Sequence, residues 1–342
     1  MNLQKRINAF VRLGEIFRDA ASDHPATRQA GRLRSVMDGQ YKLNKWFTPD
    51  NVVRSVAALG SMLHRDKLEQ WLAGYRIKGG TVRKNNIAVI MAGNIPLAGF
   101  HDLLCVLLSG NILNAKTSAR DPQLVAEALS LLQEIDPDFR ELIILSRDGL
   151  KDYDAVIATG SNNSSRYFEY YFGSYPHIFR KNRNSVAIID SSVSDSDLGL
   201  LGEDVFSYFG LGCRNVSKLL VSKDFDRGKL ASLWSSWRGV ADHTAYANNL
   251  NHSRALCLIN RESFTDSGYF LLKESASVSS PVGVLHYGIF GSETEPEGLL
   301  ENHHDQIQII VGKNYKKFGS SQYPEPWEYP DNMDTLQFLT SL

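Results

Sequence analysis

The chain has 342 residues, of which 43% are hydrophobic and 22% charged, so it exceeds the usual size of one domain and can bury a sizeable core. Its 37 basic and 38 acidic side chains give a formal net charge of -1, which argues against a nucleic-acid partner or a general attraction to anionic lipid. Three cysteines, Cys105, Cys213 and Cys257, cannot all pair and show no CxxC spacing. We therefore expect no disulfide framework, no structural zinc and a reducing, cytoplasmic compartment.

The predicted elements begin with helices over residues 1 to about 75, which end at the turn-rich stretch GGTVRKNN, residues 79–86. The first helix pattern carries charges throughout and lacks the apolar core of a secretory signal. The most apolar stretch, residues 87–115, is interrupted by polar residues such as Asn94 and Asp102. Because a membrane span needs about 20 mainly apolar residues, we expect two buried strands around a helix there and no span.

A strand–helix alternation follows, and it predicts a parallel, doubly wound α/β sheet. Short apolar runs are typical of buried parallel strands, and ligands bind such sheets beyond the carboxyl ends of the strands. The predicted strands are IAVIMA (87–92), ILNAKTS (112–118), ELIILS (141–146), DAVIATG (154–160) and SVAIID (185–190). The predicted helices cover 97–110, 121–135 with Asp121 as N-cap, and 161–173.

The second half of the chain repeats the alternation after a polar stretch, DSSVSDSD, which indicates a domain boundary near residues 190–197. We predict a first domain over 1–190, a second over 191–312 and a C-terminal tail over 313–342. The predicted elements of the second half are a helix over 194–209, a strand KLLVS (218–222), a helix over 228–237, and strands ALCLI (255–259), VGVLHY (282–287) and IQIIVG (307–312).

Cys213 has the most reactive setting of the three cysteines. Two glycines precede it in YFGLGCRNVSKLLV, so the backbone there can approach a ligand closely. Arg214 and Lys218 follow, and nearby positive charge favours the nucleophilic thiolate. A free cysteine is more often a small buried hydrophobe, which is how we interpret Cys105 among leucines and Cys257 in ALCLI.

Two turns after predicted strands are candidate ligand sites. Thr159, Gly160 and Ser161 join an apolar strand to a helix, where backbone N–H groups and a helix N-terminus suit a bound anion. This short pattern is common, and the GxGxxG fingerprint of an ordinary Rossmann dehydrogenase is absent. Asn94, in MAGNIPLAG, is either a turn former or an amide donor to a developing oxyanion.

Four segments resemble, in order, the acyl-CoA reductase family of bacterial bioluminescence, a branch of the aldehyde dehydrogenase superfamily. They are MAGNIPLAGFHDLLCVLLSGN, ATGSNNSSRYFEYYFGSYPHIFRKNRNSVAII, FGLGCRNVSKLLV and KESASVSSPVGVLHY, and they lie between about residues 85 and 312. The resemblance implies an aldehyde dehydrogenase-like α/β fold. Its first domain would be a Rossmann-type parallel-sheet domain that binds NAD(P)H, and its second an α/β catalytic domain that carries the cysteine.

The resemblance also assigns roles to individual residues. Cys213 matches the nucleophile, and Asn94 matches the oxyanion-hole asparagine that follows the first strand of the cofactor domain. Lys116 resembles the lysine of the superfamily's Lys-Pro-Ser segment, which holds the adenosine ribose, although Thr117 replaces the proline here.

The remaining matches concern the cofactor. Thr159, Gly160 and Ser161 resemble the Thr-Gly-Ser turn beside the cofactor pyrophosphate. Glu274 resembles the glutamate that anchors the nicotinamide ribose, but the residues after it depart from the usual Ile-Phe-Gly.

One departure bears on the reaction. Oxidative aldehyde dehydrogenases carry a Glu-Leu-Gly-Gly-Lys segment whose glutamate activates water, whereas residues 180–184 read RKNRN and contain no carboxylate. An acyl-enzyme without a general base for water is hydrolysed slowly. The resemblance therefore implies NADPH-dependent reduction of long-chain acyl-CoA to fatty aldehyde, through a thioester on Cys213.

Alternatives remain open from the sequence. They are a CoA-acylating aldehyde dehydrogenase or acyl-phosphate reductase acting on another substrate, and a non-catalytic scaffold of the same fold. The acyl donor is either acyl-CoA or an acyl carrier thioester, and a homo-oligomer or a complex with an acyl-activating partner is compatible with the resemblance.

Three side-chain clusters have a structural interpretation beside a functional one. The basic run at 180–183 either meets phosphates or forms a solvated face. The aromatic cluster at 167–172 packs a helix on the sheet or forms an acyl-chain wall. His303 and His304 are adjacent and lack a spaced third ligand, so we expect no metal.

Overall fold

The chain forms two compact units in this computed structural model, which describes residues 1–77, 84–146, 149–291 and 295–342. The first unit comprises Met1–Asn182 and Tyr323–Leu342, and the second comprises Arg183–Gln322. Each is an α/β structure built around parallel strands, which confirms the predicted fold class. Most of the turn predicted at 79–86 lies outside the described residues.

Helices precede the first strand, as the apolar spacing predicted. They are α1 (Leu3–Ala20), α2 (Arg28–Leu43), α3 (Pro49–Met62) and α4 (Arg65–Leu72). The inward face of α1 includes Phe10 and Phe17, both fully buried, and α1 packs mainly against α3. Gly14 permits this packing, because a Cβ there would lie 2.6 Å from Leu63 Cβ. Burying a Phe side chain stabilises the fold by roughly 1.5–3 kcal/mol.

The sheet of the first unit is parallel, with strand order β3-β2-β1-β4-β5. Its strands are β1 (Asn86–Ile90), β2 (Ile112–Lys116), β3 (Ile143–Leu145), β4 (Ala155–Thr159) and β5 (His177–Arg180). The connecting helices are α5 (Phe100–Ser109), α6 (Gln123–Ile135) and α7 (Asn162–Phe172). Gly110 ends α5 in the left-handed region, at φ +90, which glycine adopts at little cost. Strand β5 has no counterpart among the predicted strands.

The last residues of the chain return to the first unit, where α12 (Thr335–Ser341) packs on α5. A buried ion pair helps to hold them, because Arg180 Nη2 donates to Asp102 at 2.6 Å and to Thr335 Oγ1 at 2.7 Å. The tail predicted over 313–342 is therefore divided: residues 313–322 belong to the second unit and 323–342 to the first.

The second unit has a sheet of order β11-β6-β7-β10-β9-β8, parallel except for the β8–β9 pair. Its elements are β6 (Asn184–Ile189), α8 (Asp195–Phe206), β7 (Val216–Ser222), α9 (Leu230–Leu233), α10 (Thr244–Ile259), β8 (Thr265–Asp266), β9 (Leu271–Glu274), β10 (Val284–Phe290), α11 (Glu295–Glu301) and β11 (Ile307–Val311). The predicted first domain ended at residue 190, but β6 pairs with β7 and β11, so the second unit already begins at Arg183.

Three local predictions were wrong. Residues 255–259 belong to helix α10 rather than to a strand, because Cys257 continues the inward face formed by Tyr246, Leu250 and Ser253. Residues 228–237 form the short α9 between 3-10 turns rather than one helix. The N-cap position of α6 is Pro122 rather than Asp121, although the Asp121 carboxylate still accepts the Leu124 N–H in the first turn of the helix.

Among the described residues, none of the helices has the length and apolar character needed to cross a bilayer.

Candidate active site

The carboxyl edge of the first sheet gathers most of the predicted cofactor residues. Lys116 ends β2 and Thr159 ends β4, and β1 lies between these two strands. The strand order reverses between β1 and β4, and open α/β sheets bind ligands in the crevice at such a point. Lys116 is exposed there, and its carbonyl accepts the Met91 N–H at 3.0 Å, which joins the β2 end to the loop after β1.

The turn from β4 into α7 is built as a helix N-terminus open to an anion. Ser161 is the N-cap, and its hydroxyl accepts the Ser164 N–H at 3.2 Å. A Cβ at Gly160 would lie 2.8 Å from Ser164 Cβ and 2.9 Å from the Phe168 ring, so only glycine fits without a shift. The first N–H groups of an α-helix and its dipole favour a phosphate at this end.

Asn94 lies exposed in the loop between β1 and α5. The loop is fixed just after this residue. Ser55 Oγ donates to the Pro96 carbonyl at 2.7 Å, and the Asp121 carboxylate accepts the Leu97 N–H at 2.7 Å. Leu97 has φ 58, in the left-handed region that a branched residue rarely adopts, so these bonds hold a strained backbone.

Cys213 lies in an irregular turn between α8 and β7. We call residues 207–215 the cysteine turn. Tyr208, Phe209 and Gly210 have φ 52, 58 and 75, three successive left-handed residues. Cys213 is partly exposed, and its carbonyl accepts from Ser185 Oγ at 2.9 Å. Backbone strain of this kind is frequently found at functional sites, because the surrounding structure must maintain it.

The other two cysteines are buried, as predicted. Burial raises the pKa of the Cys105 thiol well above its usual range, and burial likewise raises the pKa of Cys257. Both groups therefore remain protonated, unreactive thiols near neutral pH. Cys213 is thus the accessible cysteine of the three.

The Lys218 side chain binds a backbone carbonyl of another segment in the second unit. Its ammonium donates to the Ser275 carbonyl, and burial lowers the pKa of Lys218. Ser275 follows Glu274, the exposed last residue of β9, whose carboxylate accepts from Tyr287 at 3.4 Å. The bond thus attaches the segment after Glu274 to β7.

The strand register does not bring Glu274 and Cys213 to one edge of the second sheet. Glu274 pairs with Tyr287, which pairs with Leu219, whereas Cys213 precedes the start of β7. Later residues of the same segment, among them Pro281 and Gly283, line a small cavity of about 50 Å³ together with the cysteine turn.

Comparison with known proteins identifies the family. The acyl-CoA reductase (LuxC) family matches residues 40–227, which is more than half of the chain. The chain belongs to the LuxC acyl-CoA reductase family. No protein of curated function matches the sequence.

Solved structures similar to this LuxC-family chain are aldehyde dehydrogenases and related enzymes. The P. syringae AldA indole-3-acetaldehyde dehydrogenase, solved with NAD+ and IAA, has a TM-score of 0.64 and 13% identity, over 91% of this chain and 72% of that one. An acetylating aldehyde dehydrogenase from Geobacillus thermoglucosidasius gives 0.59 and 13%, over 91% and 76%. An E. coli NADP dependent enzyme gives 0.60 and 11%, over 94% and 79%. At these identities the likeness establishes the aldehyde dehydrogenase fold.

Two of the clusters from the sequence now have structural explanations. Arg180 of this LuxC-family chain is buried against Asp102, and Arg183 donates to the carbonyls of His304 and Ile307 at 3.2 and 3.3 Å. The Arg180 guanidinium is therefore not part of a solvated face and is not available to a phosphate. In the aromatic cluster, Phe168 and Phe172 pack against the sheet, whereas three tyrosines are exposed: Tyr167, Tyr170 and Tyr171.

Sequence reasoning missed two polar residues that shape the candidate site of this LuxC-family chain. Asp121 was predicted only as a helix cap, but its carboxylate also supports the Asn94 loop. No role was predicted for Asn215, although an asparagine two positions after the cysteine indicates a turn. In the described part of the chain, no cluster of histidine, cysteine and carboxylate side chains suits a metal.

Asp121 provides a pH-dependent test of the loop that carries Asn94. Burial raises the pKa of Asp121 to about 6, above its usual 3.8, although the Leu97 N–H opposes the shift. A raised pKa means that the folded state holds this proton more tightly, so the contribution of Asp121 to stability is fully present below pH 4 and is lost as the pH rises through 6. Asp121→Asn mimics the protonated form and keeps the acceptor.

We therefore expect Asp121→Asn to become more stable relative to wild type between pH 4 and pH 7.5, by up to about 3 kcal/mol, at about 1.4 kcal/mol per pKa unit. Urea unfolding at several pH values measures this difference. Asp23→Asn, at an exposed loop position, is the control. If the difference in unfolding free energy between wild type and Asp121→Asn stays constant with pH, the raised pKa of Asp121 is contradicted.

Proposed function

We propose that the chain reduces long-chain acyl-CoA to a fatty aldehyde with NADPH, through a thioester on Cys213. The observation that carries this proposal is the setting of Cys213. It is partly exposed in a strained turn of a chain of the acyl-CoA reductase family, while the other two cysteines are buried. A thiolate suits the role because it is both a good nucleophile and a good leaving group.

The residues at the carboxyl edge of the first sheet fit a nicotinamide dinucleotide. Thr159, Gly160 and Ser161 open the N-terminus of an 11-residue helix, and Gly160 lies where a Cβ would meet Ser164 and Phe168. In the proposal this turn holds the pyrophosphate and Lys116 the adenosine ribose, while Glu274 contacts the nicotinamide ribose. When bound, NADPH supplies the two electrons that reduce the acyl group.

The chain's own residues carry the acyl transfer. Cys213 Sγ attacks the thioester carbon of acyl-CoA, the bond from that carbon to the CoA sulfur breaks, and CoA leaves as a thiolate that takes a proton from solvent. After reduction, the bond between the acyl carbon and Cys213 Sγ breaks, which releases aldehyde and restores the Cys213 thiolate. In the proposal, the Asn94 amide donates to the oxyanion that forms in each step.

The lack of a carboxylate at residues 180–184 supports reduction over acid formation. Arg180, the first of these residues, is engaged with Asp102 and Thr335 inside the first unit. The stretch therefore offers no general base to activate water against the acyl-enzyme. A thiol or a reductant then competes well for the thioester, whereas unactivated water does not.

Mixing the enzyme with acyl-CoA, without NADPH, tests the proposal. We expect a burst of about one CoA per chain, followed by almost no further release. Adding NADPH should then release aldehyde, and adding excess CoA instead should regenerate acyl-CoA. Continuous CoA release with free fatty acid as the product would contradict a reductase.

The preferred chain length and cofactor are tested with a series of acyl-CoA substrates of graded chain length, each assayed with NADPH and with NADH. Higher kcat/KM for long chains and for NADPH is expected. A preference for acetyl-CoA or for an acyl phosphate would favour an acylating aldehyde dehydrogenase or acyl-phosphate reductase instead. We infer a cytoplasmic enzyme from the three unpaired cysteines.

A further inference from the structure

The cysteine turn is held by a side chain that no sequence motif assigns. Asn215 is buried, with 2% of its surface exposed, and all of its amide groups are engaged. Its Oδ1 accepts the Gly212 N–H at 2.8 Å. Its Nδ2 donates to the carbonyls of Ser207 at 2.8 Å and Asp204 at 3.1 Å. These bonds join the residue before Cys213 to the end of α8.

The contacts of Asn215 enclose the strained part of the turn. Ser207 and Gly212 flank the three left-handed residues, Tyr208 to Gly210, so the Asn215 amide joins the two sides of the strained segment. A non-glycine residue in this region costs of order 1–3 kcal/mol and persists only where surrounding bonds maintain it. Bonds from one rigid amide can maintain it, because asparagine has few rotatable bonds.

The support extends one step further, to Asp204. Its backbone carbonyl accepts from Asn215, while its buried carboxylate accepts the N–H groups of Gly319 at 2.7 Å and Ser321 at 2.8 Å. Asp204 therefore fixes the end of α8 against a second segment of the same unit. A displaced α8 end would shift the acceptors of Asn215, and with them the turn.

We propose that Asn215 is a positioning residue, which sets the geometry of the Cys213 turn for attack on the thioester. This inference rests on the proposed function, since it assumes that Cys213 is the nucleophile. Attack requires the sulfur within a narrow range of distance and angle, and a misplacement of about 1 Å can cost about a hundredfold in rate. Asn215 acts through the turn and need not touch the substrate.

Three variants test the proposal. Asn215→Ala removes all of the bonds, and Asn215→Asp keeps an acceptor for Gly212 while it loses the amide donor. Asn114→Ala is the matched control: Asn114 is also 2% exposed, accepts from Ser146 and donates to Lys151, and lies in the first unit. All rates are measured well below the melting temperature of each variant.

We expect Asn215→Ala to slow Cys213 acylation at saturating acyl-CoA by about tenfold to a hundredfold, with little change in the half-saturating concentration. Asn114→Ala should retain the wild-type rate. Equal losses in the two variants, or none in Asn215→Ala, would overturn the proposal.

The Asn215→Asp variant adds a pH signature. Its introduced carboxyl faces the backbone carbonyls of Ser207 and Asp204, and Ser207 Oγ in turn donates to the Glu203 carboxylate. This carboxyl can donate a hydrogen bond only when it is protonated. The acylation rate of Asn215→Asp relative to wild type should therefore rise as the pH falls from 9 to 6. For Asn215→Ala this ratio should stay flat, and a flat ratio for both variants counts against the positioning role.

Hydrogen exchange separates this proposal from the proposed function. Amides of residues 207–215 should exchange faster in Asn215→Ala than in wild type, while Asn215→Asp should keep protection at Gly212. If wild type is not acylated at all, the proposed function fails, and faster exchange still supports control of the turn by Asn215. If the exchange rates of these amides are unchanged, control of the turn by Asn215 is ruled out, whatever the acylation rate.

Discussion

Replacing the Cys213 thiol with a hydroxyl, in Cys213→Ser, is expected to abolish acylation by labelled acyl-CoA. Serine has nearly the same shape, so the turn should keep its bonds to Ser185 and Asn215. A hydroxyl without a general base, however, is a poor nucleophile near neutral pH, whereas a thiol is partly ionised. Label retained on the gel-filtered protein, after incubation without NADPH, measures the effect.

Cys257→Ser and Cys105→Ser are the controls for that result. Both residues are buried, and burial raises the pKa of each thiol, so neither should carry the label. Both variants should label like wild type, although each should lower the melting temperature because it buries a hydroxyl. Labelling of Cys213→Ser at the wild-type rate would show that another residue accepts the acyl group.

Asn94→Ala is expected to lower turnover by about a hundredfold to a thousandfold, because that is the usual loss when one oxyanion donor is removed. The loop itself should survive, since the substitution leaves two of its anchors in place, Ser55 on Pro96 and Asp121 on Leu97. Steady-state kinetics with acyl-CoA and NADPH, together with a fluorescence titration of NADPH binding, measure the two effects separately.

The contrasting result for Asn94→Ala is a lower melting temperature with normal specific activity. That outcome would assign Asn94 to turn formation alone. Asn8→Ala, at an exposed position on α1, controls for the loss of an asparagine side chain from the surface and should match wild type in both measurements.

Local patterns predicted much of the first unit correctly. The apolar runs at β1 and β4 are short and continuous because parallel strands are buried on both faces. Gly110 was predicted to end α5, since a left-handed C-cap favours glycine for steric reasons. In such cases the determining interactions lie within a few residues, so the sequence pattern is sufficient.

The failures have physical causes of two kinds. In the last turn of α10, Leu256, Leu258 and Ile259 are exposed apolar residues, so this turn lacks a polar face and its run ALCLI resembles a strand. For Arg180, the partners are Asp102 and Thr335, far away along the chain in both directions, and no local pattern encodes such a contact. The roles of the candidate site residues remain predictions, because they follow from family resemblance rather than from pattern.

The divided first unit has a consequence for the order of synthesis. Arg180 and Asp102 are synthesised early. The Thr335 hydroxyl and the Pro330 carbonyl, which also accept from Arg180, are synthesised only after the second unit of about 140 residues. At a synthesis rate of roughly 5–20 residues per second, the Arg180 guanidinium of a nascent chain lacks some of its hydrogen-bond acceptors for on the order of 10 s. The second unit can therefore be completed on the ribosome while the first still lacks its last helix, α12.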